Sequence, residues 1–102
     1  MRGLLSVAGT SSPPEAAFSP ERAWRLNPQV ALRDESFGAL AYHYGNRRLV
    51  FLKSRQLVTL VSSLAEYPSA SDALAACVPE ASRPAYERAL ARLAASEVID
   101  AS

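Results

Sequence analysis

The chain has 102 residues, of which 49% are hydrophobic and 21% charged, and its net charge is +1. That length holds one small domain, and the near-cancelling charge lacks the basic excess expected of a nucleic-acid or membrane-surface binder. One cysteine, Cys77, excludes an internal disulfide, and with one histidine, His43, the chain cannot build a zinc site from soft ligands.

No apolar run approaches the roughly 18 residues of a membrane span. The opening Met1-Arg2-Gly3-Leu4-Leu5-Ser6-Val7-Ala8 is too short in its apolar part for a signal peptide, and no Ala-x-Ala pattern follows it. The expectation is a cytoplasmic protein. Gly9-Thr10-Ser11-Ser12-Pro13-Pro14 supports no packed element, so residues 1–20 read as a flexible lead-in and 21–102 as the folded domain.

Trp24, Leu26, Val30 and Leu32 alternate with more polar neighbours, which predicts a half-buried strand bent at Asn27-Pro28. Asp34-Glu35-Ser36 is turn material. A hairpin follows: Phe37 to Tyr44, a two-residue turn at Gly45-Asn46, and Arg47 to Leu52. This register sets Tyr42 opposite Leu49 and Leu40 opposite Phe51. Those four share a face expected to meet the core, while Ala39, Ala41, His43, Arg48, Val50 and Leu52 lie on the other. A three-residue loop would swap the faces of one strand.

After Lys53 the period changes to 3.6. Ser54 is the expected cap of a first helix carrying Leu57, Leu60, Val61 and Leu64, which Pro68 ends. Ser69 or Ser71 caps a short second helix through Leu74 to about Val78, ended by Pro79. Ser82 is expected to cap a third, with Pro84 in its first turn and an apolar stripe of Tyr86, Leu90, Leu93 and Ala94. Val98-Ile99 closes the domain. Strands followed by helices predict an α+β fold, a three-stranded antiparallel meander covered by three helices.

Trp24-Arg25-Leu26-Asn27-Pro28-Gln29-Val30-Ala31-Leu32-Arg33, Phe37-Gly38-Ala39-Leu40 and Tyr42-His43-Tyr44-Gly45-Asn46-Arg47-Arg48-Leu49 together resemble the mycofactocin biosynthesis peptide chaperones of the PqqD-like family. The resemblance spans about residues 22 to 99. It implies a winged-helix-like, non-catalytic domain that binds the leader of a ribosomally made precursor peptide and presents it to a radical S-adenosylmethionine maturase. The chaperone itself would need no cofactor, since the cluster and S-adenosylmethionine belong to that enzyme. The leader would add as a strand along Arg47, Arg48, Leu49, Val50, Phe51 and Leu52, in a groove walled by the third helix from Tyr86 through Leu90 to Leu93.

Physical chemistry supports such a site. A meander ends on an unpaired edge, and strand addition there gives affinity through main-chain bonds and specificity through alternate side chains. Between Glu35 and Glu66 there is no acid, while Arg47, Arg48, Lys53 and Arg55 cluster at the hairpin and its exit, a patch suited to an acidic peptide. A proline at Val50 is expected to break the edge.

Plainer readings stand beside these. Arg47 and Arg48 serve equally as edge charges that deter aggregation. His43 has no nucleophile partner and reads as a packed or hydrogen-bonded residue. Arg83 and Glu87 suit an i, i+4 pair on a solvated face, and the alternative has Arg88 or Arg92 meeting leader carboxylates. A winged-helix DNA-binding protein, reading with Arg83, Arg88 and Arg92, is the alternative function, weakened by the small net charge and by Glu87. Exposed edges also leave a homodimer open. For the enzyme's contact, the sequence offers the exposed side of the first helix near Arg55 and Thr59.

Overall fold

A computed structural model describes residues 18–102. The fold is α+β, with antiparallel strands followed by three helices. In chain order it comprises β1 (Trp24–Leu26), β2 (Val30–Glu35), β3 (Gly38–His43), β4 (Leu49–Leu52), α1 (Arg55–Ser63), α2 (Ala70–Cys77), α3 (Arg83–Ala95) and β5 (Ile99–Ala101).

The predicted first strand is two strands. Asn27-Pro28 does more than bend it: Gln29 N–H donates to Asn27 Oδ1 at 2.9 Å and Val30 N–H to the Asn27 carbonyl at 2.9 Å, which turns the chain out of one sheet and into another. β2, β3 and β4 form the three-stranded meander, in that order. β1 leaves it and pairs antiparallel with β5, with Trp24 opposite Ala101 and Leu26 opposite Ile99. Arg25 Nε meets Asp100 Oδ1 across this ribbon at 3.0 Å.

The hairpin register is the expected one, with Tyr42 opposite Leu49 and Leu40 opposite Phe51. The loop is not the expected two-residue turn. His43 N–H donates to the Arg48 carbonyl and Arg47 N–H to the His43 carbonyl, so Tyr44 to Arg47 make a four-residue loop that closes through Arg47 at φ 64°. Two- and four-residue loops have the same parity, which is why the pairing is unchanged.

The faces are reversed from the expectation. Ala39, Ala41, His43 and Leu52 are buried, whereas Leu49 and Phe51 are 52% and 54% exposed. Ala39 and Ala41 on β3 are small, which lets α1 pack closely on the sheet and brings Leu60, Val61 and Leu64 into the core beside Leu52. The aromatic side chains of β3 and β4, with Leu40 and Leu49, are left outside.

The helices follow their stop signals closely. Ser54 Oγ accepts from Leu57 N–H at 3.0 Å and Ser69 Oγ from Asp72 N–H at 3.1 Å, so Ser69 rather than Ser71 caps α2. Tyr67 and Val78, each preceding a proline, adopt extended backbone and end their segments. Ser82 makes no side-chain cap; it belongs to a 3₁₀ turn, Glu80–Ser82, that runs straight into α3. The end of α3 is closed by Val98 N–H on the Leu93 carbonyl at 2.9 Å and Glu97 N–H on the Ala94 carbonyl at 3.0 Å. Glu97, at φ 64°, takes the left-handed position that glycine usually fills.

Residues 1–17 of the expected lead-in lie outside the described residues. Phe18 to Pro20 are held to the fold: the Phe18 and Trp24 ring centroids are 5.2 Å apart, Trp24 Nε1 donates to the Ser19 carbonyl at 2.8 Å, and the Pro20 carbonyl accepts from Ser71 N–H at 2.9 Å. Trp24, 2% exposed, anchors β1 in the core.

Candidate peptide-binding edge and groove

β4 lies at one side of the meander, with β3 as its neighbour in the sheet. Antiparallel ladders alternate, and the His43–Arg48 bond fixes the phase: Arg48, Val50 and Leu52 turn their main-chain groups toward β3. Leu49 and Phe51 therefore present their N–H and C=O groups outward, the template that an added strand needs.

Beside this edge runs a groove of about 200 Å³ between β4 and α3, with Val50, Phe51 and Leu57 on one side and Ala89, Arg92 and Leu93 on the other. Its floor is apolar and Arg92 is the cation on its wall. The ion pairs among the described residues are Arg25–Asp100 and Arg33–Glu35, and Glu97 Oε1 lies 3.9 Å from the His43 ring. Arg47, Arg48, Lys53 and Arg92 are exposed and belong to none of these.

The residues singled out in the sequence separate in the structure. Val50, Phe51 and Leu93 come together in the groove, and Leu49 extends the edge. Arg47 and Arg48 stand exposed at the loop end. Leu52 and Leu90 are fully buried, so their side chains belong to the core and not to the groove. Their burial follows from the reversed sheet face and from the core-facing stripe of α3. Tyr86 is half-buried and its hydroxyl is 2.9 Å from Ser54 Oγ, bracing the start of α1. Sequence reasoning missed Leu57 and Ala89, and left Arg92 undecided. The signal for these is helical phase, since positions 89, 92 and 93 share the side of α3 beside the core stripe.

Arg83 is also placed differently from the expected Arg83–Glu87 pair. Its Nε donates to the Val78 carbonyl at 2.9 Å and its Nη2 to the Ala75 carbonyl at 3.2 Å, capping the end of α2. Arg88 lines a separate depression with Phe18, Pro84 and Glu87, away from β4.

His43 is 3% exposed. Its Nδ1 accepts from the N–H groups of Gly45 at 2.9 Å and Asn46 at 3.1 Å, and its Nε2 lies 3.3 Å from Asn27 Nδ2 and 3.9 Å from Glu97 Oε1. The ring shapes the hairpin loop, as a hydrogen-bonded residue on the inner sheet face. Away from the groove, the hydrogen bond with Cys77 raises the Tyr67 phenol above its ordinary value of 10.0. Among the described residues, no group of three or more His, Cys, Asp or Glu side chains could hold a metal ion, and no helix is long and apolar enough to cross a membrane.

This edge-and-groove architecture can be set beside known proteins. The family model described as the Peptide chaperone MftB family matches residues 23–100. The chain belongs to that family. It is 45% identical over 102 residues to Peptide chaperone MftB of Mycobacterium ulcerans (strain Agy99), covering 97% of this chain and 94% of that protein. With Peptide chaperone MftB of Mycobacterium tuberculosis (strain ATCC 25618 / H37Rv) the identity is 44% over 103 residues, with the same shares. The protein of that name from Mycolicibacterium smegmatis (strain ATCC 700084 / mc(2)155) is 46% identical over 86 residues, covering 83% and 84%. No solved structure matches the chain. The matched residues, 23–100, coincide with the span of about 22 to 99 over which the sequence resembles that family.

Proposed function

We propose that this MftB-family chain is a non-catalytic cytoplasmic chaperone for the leader of a ribosomally made precursor peptide in mycofactocin biosynthesis. The leader adds as a strand to β4, and the chaperone presents the rest of the peptide to a radical S-adenosylmethionine maturase. The observation that carries this reading is the outward main chain of Leu49 and Phe51 beside an apolar groove walled by α3. An added strand would place alternate side chains over Val50, Leu57 and Leu93, with Arg92 available to a carboxylate.

The DNA-binding alternative loses one of its three reading side chains, because Arg83 is committed to the carbonyl groups that end α2.

The test is calorimetric titration of the full chain with a synthetic leader peptide from a neighbouring short open reading frame. One-to-one binding is expected. Val50→Pro is a poor probe, because the Val50 N–H belongs to the ladder with β3. Leu49→Pro removes an outward N–H at the first residue of an edge strand, where proline is tolerated. It should weaken binding by about tenfold or more, through the loss of one main-chain hydrogen bond and the obstruction of the added strand by the proline ring. Unchanged affinity in that variant, with the fold intact, would rule out strand addition.

A further inference from the structure

The meander has a second surface beside the leader-binding edge. Its outer face carries Leu40, Tyr42, Leu49 and Phe51, with Tyr44 beside them at 64% exposure and Phe37 at 40%. Phe37 and Phe51 stack with centroids 5.7 Å apart, and Tyr42 and Tyr44 meet edge to face at 5.1 Å. Between these pairs lies an open depression of about 390 Å³ lined by Ala31, Arg33, Leu40, Tyr42, Tyr44 and Leu49. Clustered exposed aromatics around a recess suit a protein partner's anchoring side chain, and none of the described residues covers them.

The rim indicates which partner. Arg33 lines the recess, Arg47 and Lys53 are exposed just before and after β4, and of the two acids at the end of β2, Glu35 is already 3.2 Å from Arg33 while Asp34 lies on the other side of the strand. A second copy would bring the same cationic rim, setting like charge against like. The complement is a surface with an apolar centre and an acidic border. The alternative docking place, the exposed side of α1, offers Arg55, Gln56, Thr59 and Ser62, none of them apolar.

We propose that the outer face of the β2–β3–β4 sheet docks the enzyme that modifies the bound peptide, through an acid-bordered apolar patch on that enzyme. The proposal rests on the leader-binding function above. It explains how two partners coexist: the leader takes the edge of β4, and the enzyme takes the face. Leu49 and Phe51 serve both: their main chain meets the edge, their side chains lie on the face, and the Phe51 ring also borders the groove. Outward side chains of an added strand lie next to Phe51 and Phe37, so the enzyme would rest on chaperone and peptide together.

The experiment titrates the full chain with the purified radical S-adenosylmethionine enzyme, with and without saturating leader peptide, and separately with the leader alone. Ala31→Glu and Tyr44→Glu lie on the face and away from the groove. Each should lower enzyme affinity by about tenfold or more, the usual cost of losing an interface anchor, while leader affinity stays unchanged. Enzyme affinity unchanged in both variants overturns the proposal, as does failure of the unaltered chain to bind the enzyme while still binding leader. Failure of the unaltered chain to bind leader removes the underlying function instead.

Oxidative footprinting of the unaltered chain gives a readout independent of variant folding. Tyr42 and Tyr44 should be shielded when enzyme is added, and shielding confined to α1 overturns the proposal. A doubled native mass of the chain alone, abolished by Ala31→Glu, would assign the face to a second copy and overturn it as well.

Discussion

The two faces of the three-stranded sheet are made from residues one position apart and behave as different materials. Inward lie Ala39, Ala41, His43 and Leu52, at 3% exposure or less; outward lie Leu40, Tyr42, Leu49 and Phe51, half-buried or exposed. On β3 the inner face is reduced to Ala39 and Ala41 where α1 presses on it, and the outer face is large and, among the described residues, has no element covering it. Side-chain size therefore does not mark the core here. It marks the surface that remains to be covered.

Neighbouring substitutions break this comparison most sharply. Leu52→Ala should cost about 2–5 kcal/mol as a cavity in the closed core. Phe51→Ala, one residue away, should cost about 1 kcal/mol, chiefly its stack with Phe37. Chemical denaturation of the pair measures the difference, and equal losses would mean the outer face is also part of the core.

Adding volume makes the converse test. Ala41→Leu should cost about 1–3 kcal/mol by overpacking against α1, whereas Ala31→Leu on the outer face should be near neutral. Thermal melts of both variants check the sign. Gly38, at φ 150° with the Leu52 carbonyl where a Cβ would sit, joins the faces at the turn. Gly38→Ala should cost upward of about 1 kcal/mol in the same assay, since the strained backbone and the contact act together.

The smallest effect has the opposite sign. Glu97→Gly relieves a left-handed residue at the end of α3 and should gain about 0.5 kcal/mol, after the entropy cost of glycine. Because Glu97 Oε1 is only 3.9 Å from His43, combining this change with His43→Ala tests whether the inner-face histidine shares in that gain.

Much of the fold was legible in local chemistry. Ser54, Ser69, Pro68 and Pro79 punctuate the helices, because caps and pre-proline geometry act over one or two residues. The hairpin pairing was legible despite the wrong turn type, since only loop parity enters the register. Which face turns inward was not legible, because it depends on the distance at which α1 packs, a tertiary quantity. β5 has three residues, too few for a period, and its partner β1 is more than seventy positions away in the chain. At the candidate site, the free edge could be inferred from strand order. The separation of Arg88 from Arg92, and of Leu90 from Leu93, needed the rotation of α3 about its axis.

The β1–β5 ribbon has a topological consequence. The two ends of the described chain lie side by side, Phe18 packed on Trp24 and Trp24 opposite Ala101, at a sheet that is not the one carrying β4. Entry and exit that close together let a domain be spliced into a loop of a host protein, or be circularly permuted, with little strain on either. The domain is thus built as a cassette: it can be tethered through its ribbon to a larger machine while the peptide edge stays open.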